Sequence, residues 1–224
     1  MPERIPEGYH ILSQTAWGDF LSKDDKTEHF LLTDRHFKNI NHYLGYLPSQ
    51  IIEYLLKKFP EREVRILDLG AGKEVLAARE LIEKYPRLRV YTADLVVNPK
   101  LTSNGVDVTQ SDGSRLVFAD NVFDFVYSYE ALRNIRDEEK HVTIVRELIR
   151  VLKPGNAAIL DETLPIDKLK ERIDDATALF LYRRGNINEP GTIVLGSPTC
   201  TTMILKDPID HDLLTIKERI VGHM

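Results

Sequence analysis

The chain predicts a three-layer α/β fold around a mostly parallel sheet, and three observations carry the expectation. Short runs of β-forming residues alternate with segments whose apolar residues recur at helical spacing. Most of these runs end at an acidic or small polar residue. The first of them, Val64-Arg65-Ile66-Leu67-Asp68-Leu69, runs straight into Gly70-Ala71-Gly72. Strand–helix alternation implies parallel strands, right-handed crossovers and helices on both faces. A Gly-x-Gly turn between strand and helix suits a nucleotide-like ligand held against bare backbone.

Residues 1–47 are polar and irregular but contain Tyr9, Trp17, Phe20, Phe30, Phe37, Tyr43 and Tyr46. So many aromatics argue against a disordered tail, and the segment reads as short helices that cover the core as a lid. Pro48 suits a first helical turn, Ile51, Ile52, Leu55, Leu56 and Phe59 follow at helical spacing, and Pro60 stops them. Residues 64–69 form the first core strand and 73–85 a helix with Val75, Leu76, Ala78, Leu81 and Ile82 inward. A second strand covers 88–93 and ends at Asp94; a third begins at 106–108 and reaches Ser111-Asp112-Gly113. A fourth strand covers 122–127. Asp137 caps a helix with the stripe Val142, Ile144, Val145, Leu148, Ile149 and Leu152, and Lys153-Pro154-Gly155 ends it. A fifth strand covers 157–160, ending at Asp161-Glu162; residues 169–182 read as a helix. Residues 192–195 and 201–205, joined by Gly196-Ser197-Pro198, complete seven strands as an antiparallel edge hairpin, and 213–221 read as a terminal helix. The organisation expected is an N-terminal helical or lid segment over residues 1–60, packed on a core of residues 61–224.

Composition bounds the function. The 224 residues suffice for one sizeable α/β domain, and 42% hydrophobic with 29% charged residues is the balance of a soluble globular protein. A net charge of −5 without a long Lys/Arg run shows no electrostatic footprint for nucleic acid. The single cysteine, Cys200, leaves no internal disulfide and no Cys-based zinc cluster, and reads as a small apolar residue. No apolar run approaches the roughly 18 residues of a membrane span, and no secretory segment follows Met1. A cytoplasmic location is expected, with no membrane partner. No two histidines and a carboxylate stand at metal-ligand spacing, so no metal is expected.

In an open parallel sheet the ligand lies beyond the carboxyl ends of the strands, and this chain sets polar residues there in succession. Asp68 and the Gly70–Gly72 turn follow the first strand. Asp94 follows the second, about 20 residues after the turn, where a carboxylate accepts from both ribose hydroxyls. Ser111 and Asp112 follow the third, where Asp112 would accept from an adenine amino group; Ser128 and Tyr129 follow the fourth. Taken alone, each is also an ordinary turn or cap residue.

Over residues 64–162 the chain resembles the class I S-adenosylmethionine-dependent methyltransferases, of the type that acts on small molecules. Five segments carry the resemblance in order: Leu67-Asp68-Leu69-Gly70-Ala71-Gly72; Asp94; Ser111-Asp112-Gly113; Leu116 to Asp124; and Arg150-Val151-Leu152-Lys153-Pro154-Gly155. The resemblance implies a Rossmann-like core that binds S-adenosylmethionine. Gly70, Ala71 and Gly72 would pass beneath its methionine portion, with Asp68 near the sulfonium and amino group. Asp94 would hold the ribose, Leu95 would pack on the adenine, Asp112 would read it with Ser111 and Gly113 beside, and Ser128 would line the floor. Glu74 stands where the family usually has a third glycine, and Asn156 where it usually has a second late one.

The acceptor would lie near Tyr129, Glu130, Arg133 and Asn134, with Asp161 and Glu162 behind and His10, His36 and His42 above. Where relatives often carry a histidine, Asn134 cannot act as a base. No catalytic residue is nominated, since a displacement at a sulfonium needs mainly alignment and exclusion of water. Asn-Pro-Pro-aromatic, the family's signature for exocyclic amines of bases, is absent; Val97-Asn98-Pro99-Lys100 is not that motif. The expected activity is methyl transfer to a small-molecule acceptor in metabolite biosynthesis, with a homodimer allowed for. The alternative is an S-adenosylmethionine-binding protein of this fold with another role, a cyclase-type enzyme or a scaffold subunit. A nicotinamide dehydrogenase would need glycine at position 75, which is Val75.

Overall fold

Strands β1 (Tyr9–Thr15), β2 (Gly18–Lys23) and β3 (His29–Leu32) form an antiparallel sheet at the N-terminus. In this computed structural model the residues described are 5, 7–15, 18–23, 29–103, 105–132, 135, 137–161, 168–169, 171–173, 177–183, 200–213 and 215–216. The N-terminal sheet stands where short helices were expected in the first part of residues 1–47. Its strands contain aromatic and aliphatic residues at irregular spacing, so no clean two-residue period announces them. Helices α1 (Phe37–Tyr43) and α2 (Leu47–Lys58) follow, the second with Pro48 in its first turn and Ile51, Ile52 and Leu55 buried.

Strands β4 (Val64–Leu69), β5 (Leu88–Asp94), β6 (Val106–Gln110), β7 (Phe123–Ser128), β8 (Leu152–Asp161), β9 (Thr177–Arg183) and β10 (Cys200–Lys206) make the central sheet, ordered β6-β5-β4-β7-β8-β10-β9. β10 is antiparallel to both β8 and β9, while the pairs among β4 to β8 are parallel. Only β10 therefore runs against the other strands. The period of two sorts each parallel strand onto two faces. Ile66, Phe125 and Ala157 are in register and pack toward α1, α2 and α3 (Leu76–Lys84). Leu67, Val126 and Ala158 face the other way, onto α4 (Glu138–Val151) with Leu169 and Ile173. Asp137 caps α4 as expected, accepting from Glu139 N at 2.9 Å and Lys140 N at 3.3 Å.

Several boundaries differ from the expectation. The helix expected from Lys73 begins at Leu76, because Lys73 to Val75 extend the turn and Val75 takes the left-handed conformation at φ 47°. The helix expected over 169–182 is mostly absent: residues 177–183 are β9, the strand that pairs with β10. The sequence Thr177-Ala178-Leu179-Phe180-Leu181-Tyr182-Arg183 is rich in aromatic and strand-favouring residues, and strand pairing overrides a weak helical pattern. The strand expected at 192–195, Trp17 and Gly196-Ser197-Pro198 lie outside the described residues. Lys153-Pro154-Gly155 forms a bulge at the start of β8, not a separate loop; Phe123 pairs with Leu152 and Phe125 with Ala157.

At the amino-terminal edge of the sheet, the fully buried Asp124 is saturated. It accepts from both Arg62 nitrogens at 2.8 and 2.7 Å, Arg65 N at 2.9 Å and Lys153 Nζ at 2.9 Å. These donors outweigh its burial and hold its carboxyl below the ordinary range. Among the described residues no helix is long and apolar enough to cross a membrane, and no group of three His, Cys, Asp or Glu could hold a metal ion.

Candidate functional site

The strand order reverses its direction of growth between β4 and β7, and there the carboxyl ends of the strands open a cleft. Gly70, Asp94, Leu95, Ser111, Asp112 and Gly113 line it, as do Tyr129 and Glu130. Four strands thus deliver these candidates to one place. Asp68, Ala71, Gly72 and Ser128 lie behind the lining. Ser128, expected at the floor, is fully buried, and its Oγ has no hydrogen-bond partner among the described residues. Asp161 is buried at the end of β8. His10 is exposed on β1, and His36 is exposed and paired with Glu80, so neither reaches the cleft. Asn134, Arg133 and Glu162 lie outside the described residues.

The turn after β4 is fixed from several sides. Gly70 adopts φ 81° and donates its N–H to Ala93 O at 2.8 Å; a Cβ there would stand 2.4 Å from Ala131 Cβ. Gly72 adopts φ 75°, and a Cβ there would stand 2.6 Å from both Thr33 O and Asp34 Oδ1. Both positions therefore require glycine, for conformation and for space. Asp94 accepts from Gly72 N at 2.9 Å and Val96 N at 3.3 Å, which locks the end of β5 to the turn. Glu74, the residue in place of a third glycine, does not line the cleft; its N–H donates to Asp34 Oδ1 at 2.6 Å.

The carboxyls around this turn are electrostatically loaded. Burial pushes Asp94 up to about 6, against the backbone amides of Gly72, Val96 and Leu95, with the charge of Asp34 adding to the rise. Burial pushes Asp68 up to about 7, with the Asp94 charge adding. The Tyr127 hydroxyl lies beside Asp68, but neither it nor Asp68 Oδ2 has a hydrogen-bond partner among the described residues. Asp112 shows the opposite shift. Despite partial burial, Ser114 N at 2.9 Å, Ser114 Oγ at 2.8 Å and Lys140 Nζ at 3.5 Å hold it below the ordinary range.

Apolar walls stand beside these groups: Leu69, Leu95, Val96, Leu132 and Ile144. At the β7 end, Tyr129 stacks on Tyr43 with centroids 5.4 Å apart at 17°, and Arg35 sits over the Tyr129 ring at 5.3 Å. Arg35 also pairs with Glu130, which takes φ 59°. Burial and the Glu130 charge keep the Tyr129 hydroxyl well above its ordinary value, so it stays a proton donor. The sequence did not reveal Tyr9, Leu21 or Thr33, because the N-terminal segment reaches the cleft only by tertiary packing; Leu21 packs against Val96. Lys140 was detectable in principle, one helical turn before Ile144 on the first turn of α4.

Residues 67–160 match the methyltransferase domain family. The ubiquinone/menaquinone biosynthesis C-methyltransferase UbiE of Pseudomonas putida is 34% identical over 123 residues, 50% of this chain and 47% of that protein. Its counterpart from Desulfotalea psychrophila is 33% identical over 107 residues, 45% of this chain and 42% of that protein. The chain thus spans less than half the length of these curated relatives. Among solved structures, a putative sarcosine dimethylglycine methyltransferase from Galdieria sulphuraria aligns with TM-score 0.41 at 23% identity, over 54% of this chain and 46% of that one.

Proposed function

We propose that the protein, whose residues 67–160 match the methyltransferase domain family, transfers a methyl group from S-adenosylmethionine to a small-molecule acceptor. The observation that carries this is one cleft in which Asp94, the Gly70 turn, Asp112 and Tyr129 meet at four strand ends. The residues fit the cofactor. Asp94 stands at the end of β5, able to accept from ribose hydroxyls, and Leu95, Leu132 and Ile144 offer apolar faces to a planar base. Asp68 Oδ2 is a buried acceptor with no donor among the described residues. The bound cofactor supplies an electrophilic methyl group on a positively charged sulfur with a good leaving group.

The chain's own part is to position, to exclude water and to orient the acceptor. Leu21 and Thr33 border the cleft, and Tyr129 presents a hydroxyl that remains protonated. Glu130, anchored by Arg35, presents carboxylate oxygens to a donor on the acceptor. No histidine lines the cleft among the described residues, so an acceptor proton would pass to a carboxylate or to water. A net charge of −5 supports a small molecule over a nucleic acid as acceptor, and supports a cytoplasmic protein handling metabolites.

Calorimetric titration with S-adenosylmethionine tests the reading. Micromolar binding is expected, weakened at least about tenfold in Asp94→Ala through loss of a charge-assisted ribose contact. A wild-type protein that binds neither S-adenosylmethionine nor S-adenosylhomocysteine would sink the proposal. Small acceptors are then screened by the release of S-adenosylhomocysteine.

A further inference from the structure

Helix α4 begins at the cleft, and successive residues at its start reach different walls. Lys140 Nζ stands 3.5 Å from Asp112 Oδ2, beyond the end of β6. Ile144, one turn on, lines the cleft beside Gly113, where a Cβ would stand 3.6 Å from Ile144 Cγ1. Between them, His141 points back along the chain. It is 5% exposed, the one buried histidine among the described residues. Its Nε2 lies 2.7 Å from Ile135 O. A carbonyl can only accept, so Nε2 carries the ring hydrogen and donates it. Nδ1 has no hydrogen-bond partner among the described residues.

That bond holds part of the cleft wall. Leu132 and Ile135 both line the cleft, and Ile135 N donates to Leu132 O at 3.1 Å, closing a turn ahead of α4. Asp137 starts the helix by accepting from Glu139 N and Lys140 N on its side chain and from His141 N on its carbonyl at 3.1 Å. Of these bonds at the helix start, the one from the His141 ring reaches past the cap to Ile135. Leu132, Ile135 and Ile144 then pack in one apolar cluster beside Asp112 and Gly113, at the base end of the cleft. Resting on the methyltransferase reading above, we propose that His141 is a positioning residue for the cofactor: its Nε2–H holds Ile135 against Leu132 and Ile144, and so sets the apolar wall on which the adenine packs. Removing the donor leaves a carbonyl without its partner, and the turn relaxes away from the wall to find another. The adenine is common to S-adenosylmethionine and S-adenosylhomocysteine, so the effect is blind to the charge on sulfur.

Calorimetric titration of full-length wild type, His141→Phe and His141→Gln with both ligands tests this, with urea unfolding of each protein alongside. Phenylalanine keeps a ring and loses the donor, whereas a glutamine amide reaches the position of Nε2. The expected result is about tenfold weaker binding of both ligands in His141→Phe, and recovery to within about threefold of wild type in His141→Gln. Unchanged affinity in a His141→Phe protein that only unfolds more easily overturns the proposal, because the bond would then serve the fold alone. A His141→Gln protein as weak as His141→Phe also overturns it, assigning the effect to the shape of the ring. A loss confined to one of the two ligands overturns it as well, since that places the effect at the sulfur. If His141→Phe does not fold, His141→Asn takes its place: its amide stops at the Nδ1 position, and it should weaken both ligands alike. A wild type that binds neither ligand defeats the methyltransferase reading itself, whereas equal affinity in all the variants leaves that reading standing.

Discussion

Asp68→Asn should stabilise the ligand-free protein at alkaline pH and by much less in mild acid. The Asp68 carboxyl is 2% exposed, and burial with the neighbouring Asp94 charge lifts it from an ordinary 3.8 to about 7. Between those two values the native carboxyl keeps a proton that the unfolded chain has released. The native state therefore binds more protons, and stability falls as pH rises through that window. At about 1.4 kcal/mol per pH unit, full ionisation of Asp68 opposes folding by about 4 kcal/mol. Of this, about 3 kcal/mol falls between pH 5 and pH 8, and the loss levels off once the native group ionises. Asparagine has nearly the same shape and no charge to bury. Urea unfolding of both proteins at pH 5 and pH 8 measures the difference directly. The advantage of Asp68→Asn over wild type should grow by about 3 kcal/mol from the lower to the higher pH. A difference that does not change with pH would refute the reasoning, because Asp68 would then be ionised throughout and held by donors.

Other consequences are more direct. Asp124→Ala should destabilise by about 3–5 kcal/mol in urea unfolding, since Arg62 and Lys153 lose a shared buried partner. Because the Asp124 carboxyl is held low, its contribution is present at neutral pH and fades as the medium is acidified through its folded value, opposite in sign to Asp68. Gly72→Ala should cost about 2–4 kcal/mol, from an alanine at φ 75° and from a Cβ 2.6 Å from Thr33 O. The displaced segment should show as faster amide exchange at Asp34 to Phe37. Leu21→Ala should remove the cover over Val96, speed amide exchange in β2 and weaken binding of S-adenosylmethionine roughly tenfold.

The parallel half of the sheet was legible because its strands are apolar on both faces and end in chemistry. Leu67 and Ile66 point to opposite helical layers, and Asp94 and Asp112 fall where the strands stop. The N-terminal sheet and β9 were not legible. Their strands form by antiparallel pairing, in which edge positions and short lengths blur the period of two. The packing of Thr33 and Asp34 over Gly72 was equally hidden. Nothing in Thr33-Asp34-Arg35-His36 marks a ligand site; its place follows from Phe37 docking against Tyr127, a contact between distant parts of the chain.

The two ends of the sheet treat buried carboxyls in opposite ways, and that contrast separates structure from function. Asp124, at the amino-terminal edge, has four donors and a lowered carboxyl. Asp68 and Asp94, at the carboxyl edge, have raised ones. Both ends are surrounded by well-packed apolar residues, so burial alone cannot explain the difference. What differs is the supply of positive charge: Arg62 and Lys153 serve the amino-terminal edge, while Arg35 near the cleft is committed to Glu130. At the carboxyl edge Lys140 serves Asp112, and Asp68 and Asp94 keep raised carboxyls. A ligand bearing its own positive charge would lower Asp68 and Asp94 together, and binding at neutral pH should therefore release protons to the medium. Titration of S-adenosylmethionine in two buffers of different ionisation enthalpy at pH 6.5 measures that release. Identical apparent enthalpies, meaning no proton exchanged, would show that the cation binds away from these carboxyls.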